Sequence, residues 1–94
     1  MRKITSQIQA AFIGNKSLSI SNTKTDGKAI YLFGNKIAEK TESGKIRITL
    51  AGWNTPTTRN RLSGLAGISV GCKNGEAMLN GKAWDGSWKE IETV

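Results

Sequence analysis

Ile4, Ile8, Ala11 and Phe12 recur at helical spacing and are followed by Gly14-Asn15, a stop signal, so the pattern predicts an amphipathic helix over residues 3–13. From Ser17 the period changes to two. Leu18 and Ile20 alternate with Ser19 and Ser21, which predicts a first strand, and the polar run after it ends in the turn pair Asp26-Gly27. Lys28 to Phe33 is rich in strand formers and closes on Gly34-Asn35, after which residues 36–40 return as its partner. The clearest strand is 45–50: Ile46, Ile48 and Leu50 fall on one face, Lys45, Arg47 and Thr49 on the other.

A second helix is predicted over 56–66, with Thr55 as N-cap, Pro56 at the first helical position and Gly67 as the stop. Its wheel groups Thr58, Leu62, Leu65 and Ala66 on a buried face, flanked by Arg59 and Arg61, with Thr57, Asn60 and Gly64 outward. Beyond it, 68–73 alternates again, and Asn74-Gly75, Asn80-Gly81 and Asp85-Gly86 mark tight turns separating short segments at 76–79, 82–84 and 87–91, expected as a terminal meander. The order is α-β(3-4)-α-β(2-4). The fold class is therefore α+β, two helices packed on a largely antiparallel sheet, in a single globular domain over 1–94; only the link from Leu50 through the second helix to Ile68 is long enough for a parallel crossover. The expected core is Ile4, Ile8, Phe12, Leu18, Ile20, Ile30, Leu32, Ile37, Ile46, Ile48, Leu50, Leu62, Leu65, Ile68, Val70 and Met78, while Tyr31 and Phe33 share the opposite strand face from Ile30 and Leu32.

Apolar residues make up 37% of the 94, and there are three Trp, two Phe and one Tyr, so the core is expected to use nearly all of them and leave little for an apolar docking surface. Trp53, Trp84 and Trp88 could stack on bases, but core packing is the favoured expectation for each. Lys and Arg number 14 against 7 Asp and Glu, a formal charge of +7, which makes nucleic acid the first candidate partner. No 18-residue apolar run or signal-peptide core is seen, so neither export nor membrane insertion is expected.

Catalysis finds little support. The chain has no His, removing the commonest general base and metal ligand, and the two Asp lie in Gly-containing turns where they shape the backbone. The Glu residues show no paired spacing, no GxxxxGK[ST] loop is present, and the lone Cys72 reads as a buried inert thiol. No enzyme activity, cofactor or metal is expected.

The stretches 31–38 (YLFGNKIA), 51–62 (AGWNTPTTRNRL) and 79–86 (LNGKAWDG) resemble those of small proteins encoded by tailed bacteriophages, a resemblance covering roughly residues 3–88. It implies phage origin and expression in the cytoplasm of a bacterial host, and brings neither an activity nor catalytic residues.

The residues then point to a binding site around the second helix. Unpaired N–H groups at a helix start, Thr hydroxyls and nearby Arg suit a phosphate, and Arg and Asn are residue types that read base edges. Duplex DNA is thus expected to be held by Lys45, Arg47, Thr55, Thr57, Arg59 and Arg61, with Asn60 touching a base. Against this, Thr-Pro-Thr-Thr is also simply a good helix start, and the Arg stems equally suit covering the core. The alternative function is a phage-encoded inhibitor docking by charge on an acidic host defence or transcription protein. The oligomeric state is not legible.

Overall fold

The computed structural model describes residues 3–91. Helix α1 (Lys3–Ile13) is followed by strands β1 (Leu18–Ile20), β2 (Thr23–Thr25), β3 (Ala29–Leu32), β4 (Asn35–Lys40) and β5 (Ile46–Ile48), then helix α2 (Pro56–Leu62), a single 3-10 turn (Leu65–Gly67), and strands β6 (Val70–Lys73), β7 (Glu76–Leu79), β8 (Lys82–Ala83) and β9 (Lys89–Ile91). The described strands form two antiparallel sheets, of order β1-β2-β3-β4-β5-β9 and β6-β7-β8.

The α+β class is as the sequence predicts, but the strand arrangement differs. Five strands precede α2, because the polar run after Ile20 itself forms β2, whose Thr23 and Thr25 are buried under α1. Among the described residues no parallel crossover forms: β5 and β6 lie in different sheets, so the α2 connection changes sheets. The terminal meander is also incomplete, since β9 leaves β8 and pairs with β5, setting Ile91 opposite Ile46. Helix α2 is shorter than expected. Ser63 is extended and Gly64 adopts φ +91, so the helix ends before Gly67 and Leu65 is carried by the 3-10 turn.

One apolar cluster joins both sheets to both helices, with Ile8, Phe12, Ile30, Ile48, Leu62 and Leu65 all but inaccessible to solvent. The smaller sheet closes it with Val70, Ala77 and Leu79, joined by Trp84 just after β8. Leu18, Ile20, Ile4 and Met78, expected in the core, are only half-buried. A bulge in β4 explains the consecutive apolar pair there. Tyr31 pairs with Lys36 and Ile30 with Ala38, leaving Ile37 as the extra residue, so Ile37 and Ala38 are both buried before alternation resumes at Glu39.

Local chemistry holds the corners. Lys40 Nζ donates to Phe12 O at 2.6 Å and Asn15 Oδ1 at 2.5 Å, placing a cation at the C-terminal end of α1. Gly27 is required twice over: its φ is +88, and a Cβ there would lie 2.8 Å from the carbonyl carbon of Asn15.

Candidate functional site

The covered face of the six-stranded sheet meets the helices; the outer face does not. On the outer face Ser19, Lys24, Tyr31 and Lys36 form one cross-strand row, and Ala29, Glu39, Arg47 and Glu90 another. Ile46 and Ile48 enter the core, so period two turns Arg47 outward. Arg47 Nη2 lies 2.7 Å from Glu39 Oε1, and its guanidinium sits 4.8 Å from the centre of the Trp88 ring. Lys45 Nζ lies 3.3 Å from Glu90 Oε1, Lys36 Nζ 3.3 Å from Glu39 Oε2, and Lys24 Nζ 5.5 Å from the Tyr31 ring centre. Lys36 and Lys45 are largely exposed to solvent, where such contacts contribute roughly 0–1 kcal/mol, whereas Arg47 and Glu39 are half-buried and Arg47 Nε is buried without a hydrogen-bond partner. Four cations face two carboxylates.

The predicted DNA clamp is not assembled as one surface. Lys45 and Arg47 lie on the outer face, whereas α2 packs against β4, β6 and α1 on the side of the core. Thr55 caps α2, its Oγ1 accepting from Thr58 N at 3.2 Å and sharing a 2.9 Å bond with Thr58 Oγ1. Thr57 is half-buried in the first turn. Arg59 is half-buried and donates to Asn54 Oδ1.

Arg61 and Asn60 correct the sequence-based expectation most sharply. Arg61 is 3% exposed. Its Nε donates to Thr23 Oγ1 at 2.9 Å, and its Nη1 to Thr5 Oγ1 at 2.9 Å and Asn60 Oδ1 at 3.3 Å. Thr5 Oγ1 in turn donates to Asn60 Oδ1 at 2.5 Å, and Thr23 Oγ1 to Asn22 Oδ1 at 2.7 Å. Each hydroxyl therefore accepts from the guanidinium and donates onward. Gln9 Nε2 completes the junction, donating to Arg61 O and Ser63 O at 2.9 and 3.0 Å and so capping the end of α2. This network joins α1, β2 and α2, and neither Arg61 nor the Asn60 carbonyl is presented to a phosphate or a base. The physical reason is desolvation: a buried guanidinium is retained only where its N–H groups find acceptors, and three hydroxyl and amide oxygens surround this one.

Thr49, expected beside Arg47 on the basic face, is instead buried and donates through Oγ1 to Gly86 O at 2.7 Å. Cys72, expected to be buried, is exposed where β6 runs past the edge of the core. The aromatics divide in the same way. Trp84 is buried as expected, with Nε1 donating to Ser87 O at 3.0 Å, but Trp88 is 40%, Trp53 60% and Phe33 72% exposed.

Phe33 and Trp53 share a cavity of about 230 Å³ whose lining also includes Leu32, Ile37 and Leu50 and, at its polar edge, Asn35, Thr55 and Thr58. Two tight turns make it. Phe33 and Gly34 have φ of +51 and +81, and Ala51 and Gly52 +53 and +82, with Trp53 N donating to Leu50 O at 2.8 Å. A bulky residue at positive φ is disfavoured, so Phe33 is held outward on a turn that Asn-Gly would form at less cost. Position was the missed signal: the alternation that places Leu32 inside turns Phe33, immediately before the turn Gly, to the opposite face. Lys24, Lys36, Phe33 and Trp53 were all outside the predicted site. A wider opening, about 780 Å³, is a groove between the two sheets beside Leu50, Trp84, Asp85 and Lys89.

Taken together, the molecule is an α+β protein with one helix-covered sheet face, one uncovered basic face and an aromatic-rimmed cavity between two turns. Residues 1–93 match the model of the Kyanoviridae Gp96 protein family, and the chain belongs to that family of bacteriophage proteins. No curated protein and no solved structure matches it. None of the described helices is long and apolar enough to cross a membrane.

Proposed function

We propose that this phage protein acts by binding nucleic acid, DNA first, and that it grips the phosphate backbone with Lys24, Lys36, Lys45 and Arg47 on the outer sheet face rather than by inserting α2 into a groove. The observation that carries this reading is the excess of cations over Glu39 and Glu90 on a face that neither helix covers, in a chain of formal charge +7. Tyr31 and Trp88 lie among those cations and offer ring surface to a base. Of the α2 cations, Arg59 remains at the surface as an auxiliary contact. The protein is assigned a binding role without catalysis, in the host cytoplasm where nucleic acid is at hand.

Anisotropy titrations with a short labelled duplex and its single strand at about 50 and 200 mM salt test this, because phosphate neutralisation releases counterions and affinity must fall steeply between them. Replacing Lys24, Lys36 and Lys45 together by Ala is expected to reduce the slope of log affinity against log salt by about three units, roughly one per lost contact. Absence of binding to either strand form at the lower salt sinks the proposal.

The second reading, an inhibitor that docks on an acidic host protein, is favoured by a different observation: Phe33 and Trp53 are large, exposed and adjacent to one cavity. A pull-down from nuclease-treated bacterial lysate separates the two, since a partner held through nucleic acid is lost and a direct one persists.

A further inference from the structure

We infer that the outer face of the six-stranded sheet takes single-stranded rather than duplex nucleic acid, with Tyr31 and Trp88 as the surfaces on which two bases stack. This deepens the nucleic-acid reading and rests on it. Alternation sets both rings on the uncovered face: Tyr31 lies between the inward Ile30 and Leu32 of β3, and Trp88 stands two residues before Glu90, the cross-strand partner of Arg47. Each ring has a cation against it. Lys24 Nζ is 5.5 Å from the centre of the Tyr31 ring and the Arg47 guanidinium 4.8 Å from that of Trp88, so the face repeats one unit, a ring for a base and a charge for its phosphate. Lys24 is exposed on β2, with a stem long enough to swing from ring to phosphate, and the planar guanidinium of Arg47 is itself a surface on which a base stacks.

Spacing and shape choose the strand form. In the sheet β4 and β5 separate β3 from β9, which puts the two rings three strand spacings apart, about 14 Å. Neighbouring bases in a stacked strand lie about 3.4 Å apart. One strand therefore reaches both rings only with its bases splayed, as a single strand allows and a duplex does not. Lys36 stands opposite Tyr31 on β4, on the path between the rings, where it meets an intervening phosphate. A sheet six strands wide also cannot enter a major groove that admits a helix or a two-stranded ribbon. A duplex would meet the cations alone and leave the rings unused.

The test is anisotropy with the full-length protein and three labelled probes of equal length: oligothymidylate, an abasic deoxyribose-phosphate strand and a blunt duplex. At about 200 mM salt, where phosphate contacts are weakened, the oligothymidylate is expected to bind at least ten-fold tighter than either of the others, the advantage that base stacking brings. Tyr31→Leu and Trp88→Leu keep apolar bulk and remove the ring. Each should weaken oligothymidylate roughly five-fold or more while leaving the abasic strand and the salt slope as in the parent. Tyr31→Phe, which keeps the ring, should bind as the parent does, and the melting temperature of every variant reports whether the fold is intact. The inference is overturned if the duplex or the abasic strand binds as tightly as oligothymidylate, or if both Leu variants bind it as the parent does. Steep salt dependence in those cases leaves the phosphate grip standing, whereas no binding of any probe at about 50 mM salt removes the nucleic-acid reading as well. A nuclease-resistant host protein captured by the parent and lost with Trp88→Leu, with oligothymidylate failing to compete, gives this face to a protein partner and overturns the inference equally.

Discussion

Arg47 and Arg61 carry the same group into opposite fates. Arg61 lies under α1 at 3% exposure, with Thr5, Thr23 and Asn60 oxygens fixed around its guanidinium by elements 56, 38 and one residue away in sequence. Arg47 lies on the uncovered face with its side chain 40% exposed, paired to Glu39 and laid over Trp88. Where water is excluded, a hydrogen bond lost leaves a buried group unsatisfied; where water is present, it replaces the lost partner. The comparison teaches that a basic residue beside an apolar stripe reports binding only after its burial is known. It also divides this protein's charge into a part buried in the fold and a part left at the surface.

The largest expected effect breaks the comparison on its buried side. Arg61→Ala takes away the donors to the Thr5 and Thr23 hydroxyls and to Asn60 Oδ1 and opens a cavity, and is expected to cost about 3 kcal/mol. Chemical denaturation reads that loss directly, and the melting temperature should fall by roughly 12–24 °C for a domain of this size. A shift of only a few degrees would return Arg61 to the surface set. Gly27→Ala follows, expected to cost on the order of 1–3 kcal/mol because its Cβ would meet the Asn15 backbone and its φ is left-handed; an unchanged denaturation midpoint would contradict that packing.

On the exposed side, Lys24→Ala, Lys36→Ala and Lys45→Ala are each expected to stay within about 0.5 kcal/mol of the parent in stability while the salt dependence of nucleic-acid binding declines. Stability loss without a change of slope would invert the assignment. The smallest effect is acidic. The amide of Lys28, with that of Ala29, donates to Asp26 Oδ1 at 2.8 and 2.9 Å and holds its carboxyl below the ordinary value of 3.8, against a smaller opposing desolvation. A depressed folded pKa stabilises above the unfolded value and loses that contribution as pH falls through the folded one. Between neutrality and pH 4 the parent should therefore hold its stability, and below about pH 4 decline more steeply than Asp26→Asn, which has no proton to take up. Superimposable acid limbs of the two denaturation curves would remove Asp26 from the account.

Much of the fold is legible because its causes are local. The spacing of Ile8 and Phe12, the Asn-Gly and Asp-Gly pairs and the Thr55-Pro56 start each act within a few residues, and they locate α1, the start of α2 and most of the hairpins. The misses have causes that are not local. Thr23 and Thr25 form a strand because α1 covers them; β9 joins the large sheet because β5 has a free edge; Gly64, read as an outward helix residue, ends α2 because the chain must turn there into the smaller sheet. At the candidate site the basic face of β5 was readable from alternation, while Phe33 and Trp53 were not, because composition argued that so few aromatics belonged inside.

The sequence by itself determined the class, the order of most elements, the net positive charge and the outward direction of Arg47, since periodicity, turn chemistry and charge are carried by neighbouring residues. Only the tertiary structure decided which cations meet water. Arg61 and Asn60 are drawn inward by hydroxyls contributed from α1 and β2, contacts between segments distant along the chain that no local pattern encodes, and Phe33 and Trp53 meet at one cavity only because two distant turns are brought side by side.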